Sequence, residues 1–163
     1  MIRPRDFIET KEGLLFAAIS PKIAFLRYFP SEEGERKRGY QKVASTSSSF
    51  EYLEKNYPQY IARKSGYRLQ HCQIEWVLRV YRPVEKLREL RSSKDKLVEK
   101  CLALSKILED IPEENKGVTG SLLVDLHTPS SDIDFVVYGN WYFETARRAI
   151  ERSKAVKPLG EKE

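Results

Sequence analysis

The chain is poor in several residue types, and each shortage removes a class of protein. It holds two cysteines, two histidines and one methionine in 163 residues. Cys72 and Cys101 stand far apart, with no Cys-x-x-Cys, which excludes a disulfide scaffold and a thiol redox motif. His71 adjoins Cys72, but no second pair follows at ligand spacing, so this is not a zinc site. The longest apolar runs, "GLLFAAIS" and "IDFVVYG", fall far short of the roughly 20 residues that span a bilayer, so no membrane partner is expected. "MIRPRDFIET" has no apolar core of a secretory signal, so reduced thiols and a cytoplasmic location are expected. Asn, Gln, Met and Cys are scarce while Lys, Arg and Glu are plentiful, a bias resembling that of proteins from hot, thermophilic environments.

Charge is abundant and unevenly spread. Residues 1–91 carry 18 Lys and Arg against 11 Asp and Glu, whereas residues 92–163 carry 11 against 13. The basic half also holds Tyr28, Tyr40, Tyr52, Tyr57, Tyr60, Tyr67 and Tyr81. Cations neutralise phosphates and aromatic faces stack on bases, so this half permits a nucleic-acid surface. A solvated basic face over a tyrosine-containing core fits the same composition. Within it "GERKRGY", Gly34 to Tyr40, is the densest basic patch, and a solvated loop is its expected state.

Periodicity divides the chain near residues 91–93. "DFIETKEG" and "GLLFAAIS" read as two strands around Gly13, "KIAFLRYF" as a third and "YQKVAST" as a fourth. "SSSFEYLEKNYP" reads as a helix capped by one of Ser47 to Ser49 and ended by Pro58. "YIARKSG" and "YRLQHCQI" form a candidate strand pair. "EWVLRVY" is ambiguous and would open a helix toward Pro83. Pro83 suits the first turn of a helix carrying Val84, Leu87 and Leu90. The clearest helix follows. Leu97, Cys101, Leu104, Leu108 and Ile111 recur at three and four, with Ser92 and Asp95 as a capping box and Pro112 beyond the end. Cys101 is expected in its core face.

"GVTGSLLVDLHTPSSDIDFVVYG", Gly117 to Gly139, carries the chemistry. "DIDFVVY" is a strand by composition. Alternate side chains of a strand share a face, so Asp132 and Asp134 point together with Ile133 opposite. Two carboxylates on one face repel unless they sit at an exposed mouth or hold a cation between them. Hard cations such as Mg²⁺ take carboxylate and phosphate oxygens together. Gly120 lets a phosphate approach the backbone, and Ser121 at the start of a helical turn offers it a hydroxyl. His127 in the loop is expected at the surface, as is Asp125. Trp141 and Tyr142 are expected to anchor the next helix, which Asn140 caps.

Gly120-Ser121, ten residues, then Asp132-Ile133-Asp134 and an apolar residue resembles the signature of the DNA polymerase β-like nucleotidyltransferase superfamily. The longer segment, with "RPRDFIETKEGLLFA", resembles a group of archaeal predicted nucleotidyltransferases. The resemblance implies that Gly120 and Ser121 bind the triphosphate of an NTP. It implies that Asp132 and Asp134 are catalytic and ligate Mg²⁺ or Mn²⁺. The implied reaction is hydroxyl attack on the α-phosphate with release of pyrophosphate. The superfamily places a third carboxylate on a later strand. Here the later acids, Glu144, Glu151, Glu161 and Glu163, fall in a helix or the polar tail. The expected fold class is therefore α+β. It comprises an N-terminal small antiparallel sheet with a helix (1–91), then central helices and a partial nucleotidyltransferase-like α/β core (92–163). Two functions follow as expectations. One is a metal-dependent nucleotidyltransferase acting on an unknown hydroxyl acceptor. The other is a non-catalytic nucleic-acid or protein-binding module on the same core. An exposed edge after "DIDFVVY" would favour a homodimer.

Overall fold

Short β-branched and aromatic runs separated by turns build the first sheet. The computed structural model describes residues 1–155, and the acids Glu161 and Glu163 lie outside the described residues. β1 (Phe7–Thr10), β2 (Leu15–Ala18), β3 (Ala24–Pro30) and β4 (Tyr40–Lys42) run as antiparallel neighbours. α1 (Thr46–Asn56) follows, then the hairpin β5 (Ile61–Lys64) and β6 (Tyr67–Gln70). Ser65 and Gly66 both have positive φ, which matches the twist of a two-residue hairpin. "EWVLRVY" does not open a helix. After a short 3₁₀ turn it forms β7 (Val77–Tyr81), which pairs Val80 with Ile8 and completes the order β4-β3-β2-β1-β7. Cross-strand pairing on β1 decides the ambiguity, and Arg82, ahead of Pro83, is extended as a residue before proline should be.

This sheet is buried on both faces. Ile8, Phe16 and Leu26 face a core closed by Leu53, Tyr60 and Cys72. Phe7, Leu15 and Tyr28 face the other way, onto Leu123, Val124 and Leu126. Alternation alone would put Leu26 and Tyr28 on the same face. A β-bulge separates them: Leu15 pairs with Tyr28 and Phe16 with Leu26, leaving Arg27 as the extra residue.

The remaining helices pack behind the second face. α2 (Pro83–Glu89) carries Pro83 in its first turn, as its sequence indicates. α3 (Lys96–Ile107) is capped by Asp95 alone, whose carboxylate accepts from the N–H of Leu97 at 2.8 Å and of Val98 at 3.4 Å. Ser92 takes no part, since it sits in a 3₁₀ turn whose chain leaves extended. α1 is capped by Ser45, outside the expected Ser47 to Ser49: its hydroxyl accepts from the N–H of Ser48 at 3.0 Å. β8 (Lys116–Thr119) and β9 (Asp134–Val137) pair antiparallel, and α4 (Asn140–Ala155) lays Ala146 and Ala149 against Leu108 and Ile111. Trp141 anchors nothing, being 74% exposed, while Tyr142 joins that core.

Three buried titratable side chains have explanations. The Lys116 ammonium donates to the carbonyls of Ser105 and Leu108, satisfying the C-terminal end of α3 where a cation complements the helix dipole. Burial nonetheless pulls its pKa down. The thiols of Cys72 and Cys101 are pushed up by burial to about 11, as suits inert core residues. No described helix is long and apolar enough to cross a membrane.

Candidate active site

Antiparallel pairing of β8 with β9 sets Thr119 opposite Asp134. One residue later the chain must turn sharply, and Gly120 does so with φ of +70°. Glycine is favoured here by conformation, and a Cβ at Gly120 would overlap Oδ2 of Asp134 and displace that carboxylate. The chain then enters a 3₁₀ turn, Gly120–Leu122, with Ser121 almost fully buried at its start. Leu122 enters one core and Leu123, Val124 and Leu126 another, so the apolar spacer is packed rather than looped out. Asp125 turns outward with φ of +58° and meets the Lys86 ammonium at 2.8 Å, as an exposed acid.

The return loop is ordered by its hydroxyls: Ser131 Oγ accepts from the Thr128 N–H at 2.8 Å. His127 is not a surface residue. It is 8% exposed, and Nε2 lies 2.9 Å from Oδ2 of Asp95, the cap of α3. Nδ1 is buried with no partner among the described residues. The histidine thereby ties the loop to the helix behind it. The bond from His127, with the N–H of Leu97 second, holds the Asp95 carboxyl below the usual carboxylate range.

The strand expected over "DIDFVVY" starts only at Asp134 and ends at Val137, but the alternation holds ahead of it: Asp132 and Asp134 both reach the surface and Ile133 packs on the α3 core. The two acids share a cavity of about 330 Å³ with Gly120, Ser121, Ser130 and Ser131. Neither forms an ion pair among the described residues. The opposite wall comes from the basic half: Arg27 from the bulge, Tyr28, Arg36 and Lys42. A second cavity of about 820 Å³ adjoins it, sharing Phe7, Arg27, Lys42, Gly120 and Asp134. The four sequence-indicated residues are thus brought together, and the cations facing them were not indicated. The basic surplus of the first half signalled such a wall without giving its position. No third acid joins the pair: among the described residues no group of three His, Cys, Asp or Glu converges.

"GERKRGY" is solvated, with Glu35, Lys37, Arg38 and Gly39 exposed, yet two of its side chains reach the motif. Arg36 donates to the carbonyl of Leu126 at 2.9 Å and Arg38 to that of Val124, so both guanidinium groups clip the motif's spacer to the sheet. The spacer's non-helical carbonyls need donors, and planar guanidinium groups supply them.

Turn, spacer and acidic strand stand in the order the motif requires. Residues 95–163 match the nucleotidyltransferase domain family. The matched segment thus starts at the cap of α3 and takes in the whole motif. Over nearly its full length the chain is also similar to an uncharacterized protein of Methanocaldococcus jannaschii. The two are 37% identical over 187 aligned positions, covering 98% of this chain and 55% of the relative. The chain therefore spans about half the length of the curated relative it matches. No solved structure matches the chain.

Proposed function

We propose that the protein is a metal-dependent nucleotidyltransferase that transfers a nucleoside monophosphate from an NTP to a hydroxyl acceptor. The observation that carries this reading is the seat of the Asp134 carboxylate on the bare backbone of Gly120, with Asp132 in the same cavity. Two exposed, unpaired carboxylates, Asp134 at the start of β9 and Asp132 two residues ahead of it, would suit Mg²⁺ or Mn²⁺. When bound, the ion supplies charge neutralisation at the phosphates and activation of the attacking oxygen.

The chain's own groups do the rest. Asp132 and Asp134 hold the ion at the cavity mouth. Gly120 admits a phosphate to the backbone, and Ser121 offers it a hydroxyl at the start of a 3₁₀ turn. Arg27, Arg36 and Lys42 neutralise the triphosphate from the opposite wall. Calorimetry with ATP in Mg²⁺ tests the reading. Binding should be present in the native chain, absent in EDTA, and weakened at least tenfold by Asp132→Ala or Asp134→Ala. Equal binding by all three proteins would sink it.

A second reading is a binding module without catalysis, favoured by the lack of a third carboxylate among the described residues. It separates from the first by one assay. Transfer of label from an α-labelled NTP should occur for the enzyme, and nucleotide binding without transfer for the module.

A further inference from the structure

Two tyrosines are buried, Tyr60 at 1% exposure and Tyr28 at 2%, and their hydroxyls differ in what they meet. Tyr60 donates to Oε1 of Glu12 at 2.7 Å. Among the described residues the hydroxyls of Tyr40, Tyr81 and Tyr138 also find acceptors, and that of Tyr28 finds none. Nor is the Tyr28 hydroxyl sealed off, as Nδ1 of His127 is. It opens into the cavity of about 330 Å³ that holds Asp132 and Asp134. We infer that the Tyr28 hydroxyl donates a hydrogen bond to a phosphate oxygen of the bound nucleotide. The first sheet thereby supplies a binding group from outside the matched segment 95–163. The inference rests on the nucleotidyltransferase reading above and adds a residue to its site.

The backbone brings Tyr28 there by an exception. Regular alternation would set Tyr28 on the face of Leu26, toward the core of Leu53 and Tyr60. The extra residue, Arg27, turns it to the opposite face, onto the motif's spacer. A bulge interrupts the ladder and leaves one residue unpaired, and bulges recur beside active sites, where they re-aim side chains. The apolar surroundings alone do not call for tyrosine. The ring belongs to the core of Phe7, Leu15, Leu123 and Leu126, with the Phe7 ring 6.4 Å away between centroids. Phenylalanine would fill that space equally well. Only the hydroxyl distinguishes the residue present, and a buried tyrosine hydroxyl ordinarily has a partner.

The neighbours indicate which partner. Arg27 precedes Tyr28 in the chain, Lys42 pairs with it across β3 and β4, and all three line one cavity with Arg36. These are the cations that meet the triphosphate in the reading above, so the hydroxyl stands at the phosphate end. It is also the right kind of group. Burial raises the phenol's pKa, and the opposing pull of Arg36 and Arg27 does not cancel this, while the charge of Asp134 adds to it. The group keeps its proton at neutral pH and donates. A bond to an ionised phosphate oxygen is stronger than one between neutral groups. Packing already holds the ring, so little side-chain freedom is lost when that bond forms.

The test compares Tyr28→Phe with Tyr60→Phe on the full chain. Urea denaturation is run without ligand, and calorimetry with Mg²⁺ and either ATP or inorganic tripolyphosphate. Tyr28→Phe should leave the urea midpoint unchanged, because it removes no bond within the protein. It should weaken both ligands at least fivefold and by the same factor. Tyr60→Phe should lower the midpoint, since Glu12 loses its donor, and leave both affinities within twofold. Unchanged affinities in Tyr28→Phe, with ATP bound by the native chain, overturn the inference while the nucleotidyltransferase reading stands. A lowered midpoint in Tyr28→Phe also overturns it, because the hydroxyl would then have its partner in the protein. Weaker ATP binding with tripolyphosphate binding unchanged overturns it as well, by setting the hydroxyl against the nucleoside. A native chain that binds neither ligand removes the reading and the inference together.

Discussion

At the scale of single residues, the site turns on what is missing from Gly120. Its φ of +70° alone would make alanine uncomfortable, and the Asp134 carboxylate occupies the space a methyl group would need. Gly120→Ala should therefore cost about 1–3 kcal/mol and abolish Mg²⁺-dependent ATP binding. Gly66→Ala is the control. Its φ is +80° but nothing lies within 4 Å, so only the conformational cost of about 1 kcal/mol applies, and ATP binding is retained. Urea denaturation and calorimetry on the two variants check both statements. The convergence of Gly120, Ser121, Asp132 and Asp134 on one cavity was legible in sequence because turn chemistry and side-chain alternation are local rules. Arg27 was not. Its direction depends on one extra residue in β3, and the hydrophobic pattern "AFLRYF" reads equally well without a bulge.

At the scale of elements, helix existence was legible and helix caps were less so. Around α1 and α3 several Ser and Asp residues compete, and any of them can accept from a free N–H. Tertiary contact decides for α3. His127, 32 residues away, binds the second oxygen of Asp95 while the first oxygen caps the helix. Asp95→Ala should cost about 1 kcal/mol, mostly through the lost cap. The carboxyl is held below its ordinary value of 3.8, first by His127 and then by the Leu97 N–H. Its stabilisation is thus fully present above pH 3.8 and lost as pH falls through the lowered value. The side chain is 38% exposed, so the pH-dependent part stays under about 1 kcal/mol. The urea midpoints of native and Asp95→Ala proteins should differ at pH 7, and the difference should narrow as pH falls below 3.8.

At the scale of the molecule, two compositions meet: a basic sheet and an acidic motif, with the ligand space between them. The charge asymmetry was legible, but not its purpose, because the contacts joining the halves have no periodic signature. Arg36 and Arg38 make that joint by donating to the carbonyls of Leu126 and Val124. Replacing both by alanine leaves two carbonyls short of donors and should cost about 1–3 kcal/mol, with ATP affinity falling at least fivefold. Thermal denaturation with and without Mg²⁺ and ATP measures both effects, and an unchanged ligand-induced shift would refute the second. The same joint has a kinetic consequence. Its bonds close long loops, 86 residues for Arg38 to Val124 and 90 for Arg36 to Leu126, and nearby bonds close longer ones, 114 for Thr119 to Arg5 and 134 for Tyr138 to Pro4. Contacts between residues so distant along the chain are the slowest to form, since loop closure must precede any gain from them. The hairpins and helices come first and the cleft comes last. A half-folded chain has all four motif residues and yet lacks the cavity they share.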